Sequence, residues 1–106
     1  MIDEKNVVSV IRSLVRKHRN GLEGLVFYHK HCQQRMEERQ IQQSMVDRVL
    51  IGGTVVEGPL PGNGTIPTWR VTFQGTPAGT HLAVVADLVD MNGQKVVVVT
   101  TYNKRK

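Results

Sequence analysis

Three side chains spaced by four residues, His31, Arg35 and Arg39, place one imidazole and two guanidinium groups along a single stripe of any helix that carries them. Arg70, His81 and Tyr102 add groups of related chemistry in the second half of the chain. Imidazole moves protons near neutral pH, and guanidinium grips phosphate oxygens through paired hydrogen bonds. Such groups would suit metal-independent cleavage of RNA. In that reaction the 2′-hydroxyl attacks the adjacent phosphorus, and the protein must remove its proton, neutralise the phosphorane and protonate the leaving 5′-oxygen. The expected assignment makes His31 or His81 the base and acid, with Arg35, Arg39 and Arg70 around the phosphate. Lys30, Thr72, Thr100, Lys104 and Arg105 are the accompanying candidates for RNA contact. DNA lacks the 2′-hydroxyl and should resist.

A plainer reading of the same stripe is a solvated, salt-bridged helix face. Two arginines one turn apart repel by roughly 0.2–0.5 kcal/mol, and Glu37, Glu38 or Glu57 would relieve that repulsion. His29 is a lesser candidate, one residue off the His31 stripe, and His18 reads as a solvated helix-end residue. No metal and no cofactor are expected. Cys32 is the single cysteine and leaves neither an internal disulfide nor a Cys-based zinc site. The glycines between Gly58 and Gly64 lack the Gly-Lys-Ser/Thr ending of a phosphate-binding loop, which argues against nucleotide binding.

The chain has 106 residues, with 14 Lys and Arg against 9 Asp and Glu and a net charge of +5. That length suits one domain with a modest core. The positive balance favours an anionic partner, RNA first, although solubility alone is a sufficient reason for it. Arg12, Arg16, Lys17, His18 and Arg19 form one cluster and Lys104, Arg105 and Lys106 another. The start, Met-Ile-Asp-Glu-Lys, does not resemble a secretory leader. No apolar run is long enough to cross a bilayer, so a cytoplasmic location without membrane association is expected.

The elements that must position these groups are legible in part. Asp3 to Asn20 carries Val7, Val8, Val10, Ile11, Leu14 and Val15 at helical spacing, with acids at its start, bases at its end and Asn20-Gly21 as a stop. Leu25 to Tyr28 reads as a brief strand, and Lys30 to Gln40 as a helix whose core contacts are Cys32 and Met36. Ser44 reads as the N-cap of a further helix that ends at Gly52-Gly53. Thr54 to Glu57 is a strand, Gly58 to Pro67 a loop, and Trp69 to Phe73 a half-buried strand. The expected class is α+β, with N-terminal helices followed by a twisted antiparallel sheet of about four strands. The single domain divides into 1–20, 25–53, 54–102 and a basic tail, 103–106.

Asn92-Gly93, between His81–Val89 and Lys95–Tyr102, predicts a two-residue hairpin turn. Its register pairs Met91 with Gln94, Val89 with Val96, Asp87 with Val98, Val85 with Thr100 and Ala83 with Tyr102. Alternation then sends Leu82, Val84, Ala86, Leu88, Val97, Val99 and Thr101 to the core. His81, Ala83, Val85, Asp87, Val98, Thr100 and Tyr102 share the other face with Arg70 and Thr72. The site requires that this face and the helical stripe enclose a common cavity.

The run His31-Cys32-x-x-Arg35-Met36-x-x-Arg39-x-Ile41 resembles the His-Ala-x-x-Arg-Met-x-x-Arg-x-Ile signature of a widespread bacterial family of small domains of unknown function. The similarity continues through Gly52-Gly53, Val55-Val56 and Trp69-Arg70-Val71 to Thr101-Tyr102, so it covers about Leu25 to Tyr102 and leaves the first helix as an addition. Cys32 stands where a small residue is usual, and the lysine-rich catalytic set of RelE-like toxins is not evident. Members of that family look like RelE/MqsR-type toxins in layout, a RelE/barnase-like arrangement. The resemblance implies a metal-independent endoribonuclease toxin paired with a cognate antitoxin protein, with Tyr102 stacking on a base or orienting the leaving group. The alternative is a non-catalytic basic RNA- or protein-binding module of the same fold.

Overall fold

A computed structural model describes residues 3–62 and 64–105, the side chains of 101–105 excepted. The first helix, α1 (Val7–Arg19), follows a 3-10 turn at Glu4–Asn6 whose Lys5 amide is capped by the Asp3 side chain. Val7, Ile11 and Val15 recur every four residues and are buried along one stripe. A short strand, β1 (Val26–Tyr28), leads into α2 (Lys30–Glu38) and α3 (Gln43–Gly52). Four strands follow: β2 (Thr54–Pro61), β3 (Thr68–Gly75), β4 (His81–Met91) and β5 (Gln94–Arg105).

The class is α+β. The sheet has five strands in the order β1-β5-β4-β3-β2. The four antiparallel strands expected from the sequence are β2 to β5, and β1 adds a fifth that runs parallel to β5. All three helices lie on one face. Val71, Phe73, Leu82, Val84, Ala86, Leu88, Val97 and Val99 point into that layer, where they form one apolar cluster with Ile11, Val46, Leu50, Cys32 and Met36.

Smaller boundaries differ from expectation. Gln42, not Ser44, holds the N-cap position of α3, without a side-chain capping bond, and α2 stops at Glu38 because Gln40 turns to a positive φ of 56°. The β2 strand persists through bulges to Pro61, so Gly58 to Pro61 belongs to an irregular edge rather than to a loop. The hairpin turn is as expected: Asn92 and Gly93 both take positive φ, 55° and 88°, as the twist of the flanking strands demands. The register also agrees from Met91↔Gln94 to Ala86↔Val99, then slips by one. A bulge between Val85 and Ala86 admits Thr100 as an extra residue, so Val85 pairs with Thr101 and Ala83 with Asn103.

Candidate nucleic-acid interface

The start of α2 is fixed from both sides. The His29 amide donates to the Val99 carbonyl at 2.9 Å, tying the end of β1 to β5. The His29 side chain then caps the helix, its Nδ1 accepting the His31 amide at 3.3 Å. The Gln33 side chain donates to the Tyr28 carbonyl at 3.1 Å. These contacts stack the two imidazoles, with ring centres 5.3 Å apart and planes 23° from parallel. Cys32 and Met36 are buried, so His31, Arg35 and Arg39 face outward as the spacing predicts, and Lys30 is exposed beside them.

The expected salt-bridge partners do not engage this stripe. Among the described residues one ion pair forms, and it lies on the sheet. Arg70 Nε donates to Asp87 Oδ1 at 2.8 Å and Nη2 to Oδ2 at 3.1 Å, a two-pronged contact. The Arg70 side chain is 53% exposed and that of Asp87 12%. The bond to the carboxylate holds the Arg70 guanidinium above its usual pKa. Leu60, Arg70, Asp87, Val98 and Phe27 form one row across all five strands on the face away from the helices. Thr72 sits two residues along, opposite Val85 and Glu57, and Thr100 Oγ1 donates to the Val85 carbonyl at 3.2 Å.

The common cavity required by the sequence expectation does not form. Cys32 and Met36 join the core with Val97 and Val99, so α2 lies on the helix face of the sheet. Arg70 and Thr72 alternate with the buried Val71 and Phe73, so they emerge on the other face. His81 shares that face with Arg70, but Arg70 pairs with Asp87, six residues further along β4. At about 3.3 Å per residue the two are roughly 20 Å apart, too far to share one phosphodiester. Backbone position 102 stands opposite Val84, not Ala83. The side chains of Tyr102, Lys104 and Arg105 lie outside the described residues.

A polar pair that sequence reasoning missed sits inside the helix layer. Tyr28 Oη donates to Asp47 Oδ1 at 2.6 Å, and Asp47 is 7% exposed. Burial pushes the Asp47 carboxyl up, against the opposing pull of the Tyr28 hydroxyl and of the His18 and Arg19 charges. Burial and the neighbouring carboxylate hold the Tyr28 phenol well above its ordinary range. A signal for it exists: Asp47 interrupts the run Met45-Val46-x-x-Val49-Leu50, where a charge has no place without a partner. No group of three or more metal-ligating side chains gathers among the described residues.

Residues 28–103 match a family described as a domain of unknown function, DUF4258. The chain belongs to that family. The matched span takes in the α2 stripe, Asp47 and β2 to β4, and leaves α1 outside, close to the limits expected from the resemblance. No curated protein and no solved structure matches the chain. No described helix is long and apolar enough to cross a membrane.

Proposed function

We propose that the chain is an RNA-binding domain that reads the phosphate backbone with the outward stripe of α2. The observation behind this reading is that Arg35 and Arg39 stand exposed, one turn apart, in a chain of net charge +5, and neither enters an ion pair among the described residues. Like charges held at that spacing without a carboxylate are relieved by an anion from outside. Fluorescence anisotropy of a labelled oligouridylate tests it. Arg35→Gln and Arg39→Gln should each weaken binding and each flatten the slope of log K against log salt by about 0.7. Unchanged affinity in both variants would remove the reading.

A second reading keeps the endoribonuclease, moved wholly onto α2. The specific observation in its favour is the His29–His31 stack, which puts two imidazoles within reach of one phosphodiester beside Arg35. One imidazole would serve as base and the other as acid, in place of the distant His81. Under this reading the helices and the largely antiparallel sheet would serve as the RelE/MqsR-type layout that the resemblance implies. In that setting a cognate antitoxin protein would silence the enzyme by covering the stripe with carboxylates.

A further inference from the structure

We infer that the last turn of α1 carries a second phosphodiester-binding site, formed by Arg16, Arg19 and Asn20. The inference rests on the RNA-binding reading and adds to it a site outside the span matched by the family. Arg16, Arg19, Asn20 and Ile51 line a shallow depression of about 240 Å³. Both arginines are exposed, and neither guanidinium has a hydrogen-bond partner among the described residues.

The simplest competing explanation is that these cations only offset the negative end of the helix dipole. The carbonyls of Arg16, Lys17 and His18, however, are already occupied by main-chain donors. The Asn20 amide reaches the carbonyls of Arg16 and Lys17 at 3.1 and 3.2 Å, Gly21 reaches His18 at 3.1 Å, and Leu22 reaches Lys17 at 3.1 Å. No guanidinium is needed as a cap. Arg12, one turn earlier, shows how a structural arginine in this helix behaves. It donates to the carbonyls of Leu50 and Gly53 at 3.2 and 2.5 Å and lies 5.7 Å from the centre of the Phe73 ring. Arg16 and Arg19 make no such commitment.

No carboxylate on the neighbouring α3 takes up these charges. Asp47 is 7% exposed, already accepts the Tyr28 hydroxyl at 2.6 Å, and forms no ion pair with either guanidinium among the described residues.

The test is equilibrium anisotropy of a labelled oligouridylate with the full chain, over about 50–200 mM salt. The variants are Arg16→Gln/Arg19→Gln and Arg35→Gln/Arg39→Gln, each confirmed folded by circular dichroism. The α1 pair should weaken binding and flatten the salt slope by about 1.4, as expected for two lost phosphate contacts. If the α2 pair weakens binding and the α1 pair behaves as wild type, this inference is overturned while the RNA reading stands. If the unsubstituted chain does not bind the oligonucleotide, the RNA reading fails and this inference with it. Inorganic phosphate, titrated while the amide signals of Arg19 and Asn20 are followed, separates the two sources of the ligand. Saturation by free phosphate together with an unaltered RNA salt slope would assign the depression to the small anion and overturn the inference.

Discussion

The Tyr28 hydroxyl and the Asp47 carboxylate meet at 2.6 Å and join the end of β1 to the middle of α3. Without that donor Asp47 would be a buried charge with no partner. Tyr28→Phe keeps the ring and removes the bond, and should cost about 1–3 kcal/mol in urea unfolding. A loss under a few tenths of a kcal/mol would mean that water replaces the hydroxyl.

The same carboxylate sets a pH dependence. Its folded pKa lies above the ordinary aspartate value of 3.8. The stability it contributes is therefore fully present below 3.8 and is lost as pH rises through the raised value. Asp47→Asn, which can still accept the Tyr28 proton, should gain on the wild type as pH climbs through that window. Parallel stability–pH curves for the two proteins would contradict this assignment.

Arg70 and Asp87 should respond unequally to removal. Asp87→Asn leaves a half-exposed guanidinium that water can hydrate, at a cost below about 1 kcal/mol. Arg70→Met leaves a largely buried carboxylate unpaired and should cost about 1–2 kcal/mol. A double-mutant cycle measures the asymmetry directly. Equal costs would show that the carboxylate is better hydrated than its exposure suggests.

Gly53 closes α3 where β2 begins, and its position tolerates no side chain. A Cβ there would meet the main-chain carbonyl of Val49 and lie 2.7 Å from that of Gln74. Neither oxygen can swing aside as a side chain would. Gly53→Ala should cost about 1–3 kcal/mol and lower the melting temperature accordingly. At the adjacent Gly52 an added methyl would have nothing within 4 Å, so Gly52→Ala is the natural control.

The endoribonuclease reading makes a separate chemical forecast. Incubation of RNA with chelator present should yield fragments ending in cyclic phosphate, and deoxyribose at the scissile position should block the cut. His29→Ala and His31→Ala should each slow cleavage by roughly 10²-fold or more. Intact RNA after prolonged incubation would leave binding as the whole function.

Much of this arrangement is legible in the residues. Asn92-Gly93 fixes a turn that few other dipeptides make, and the apolar alternation from Leu82 to Leu88 then identifies the core face. The register beyond Ala86 is out of reach because nothing in Val98 to Thr101 marks which residue will be left over at a bulge. The parallel partner of β1 is equally hidden. Its three residues pair with a strand at the far end of the chain, and short-range patterns do not encode such distances.

The expected cavity fails for a reason already present in the sequence. By their spacing Cys32 and Met36 are core contacts, and by alternation Val71 and Phe73 are core positions. Taken together, these two patterns place the outer stripe of α2 and Arg70 on opposite sides of the sheet. The separation of His81 from Arg70 likewise follows from the hairpin and strand register. Each local pattern is sound, and only their combination constrains where a site can form.

The placement of β5 between β1 and β4 has a consequence for the order in which the molecule can assemble. Of the five strands β5 leaves the ribosome last, yet two neighbours depend on it. Until it arrives, β1 has nothing to bond to and β4 presents a bare edge to any other nascent chain. Helix pairing can begin early, but the junction from which α2 springs is completed only when the final strand slots in.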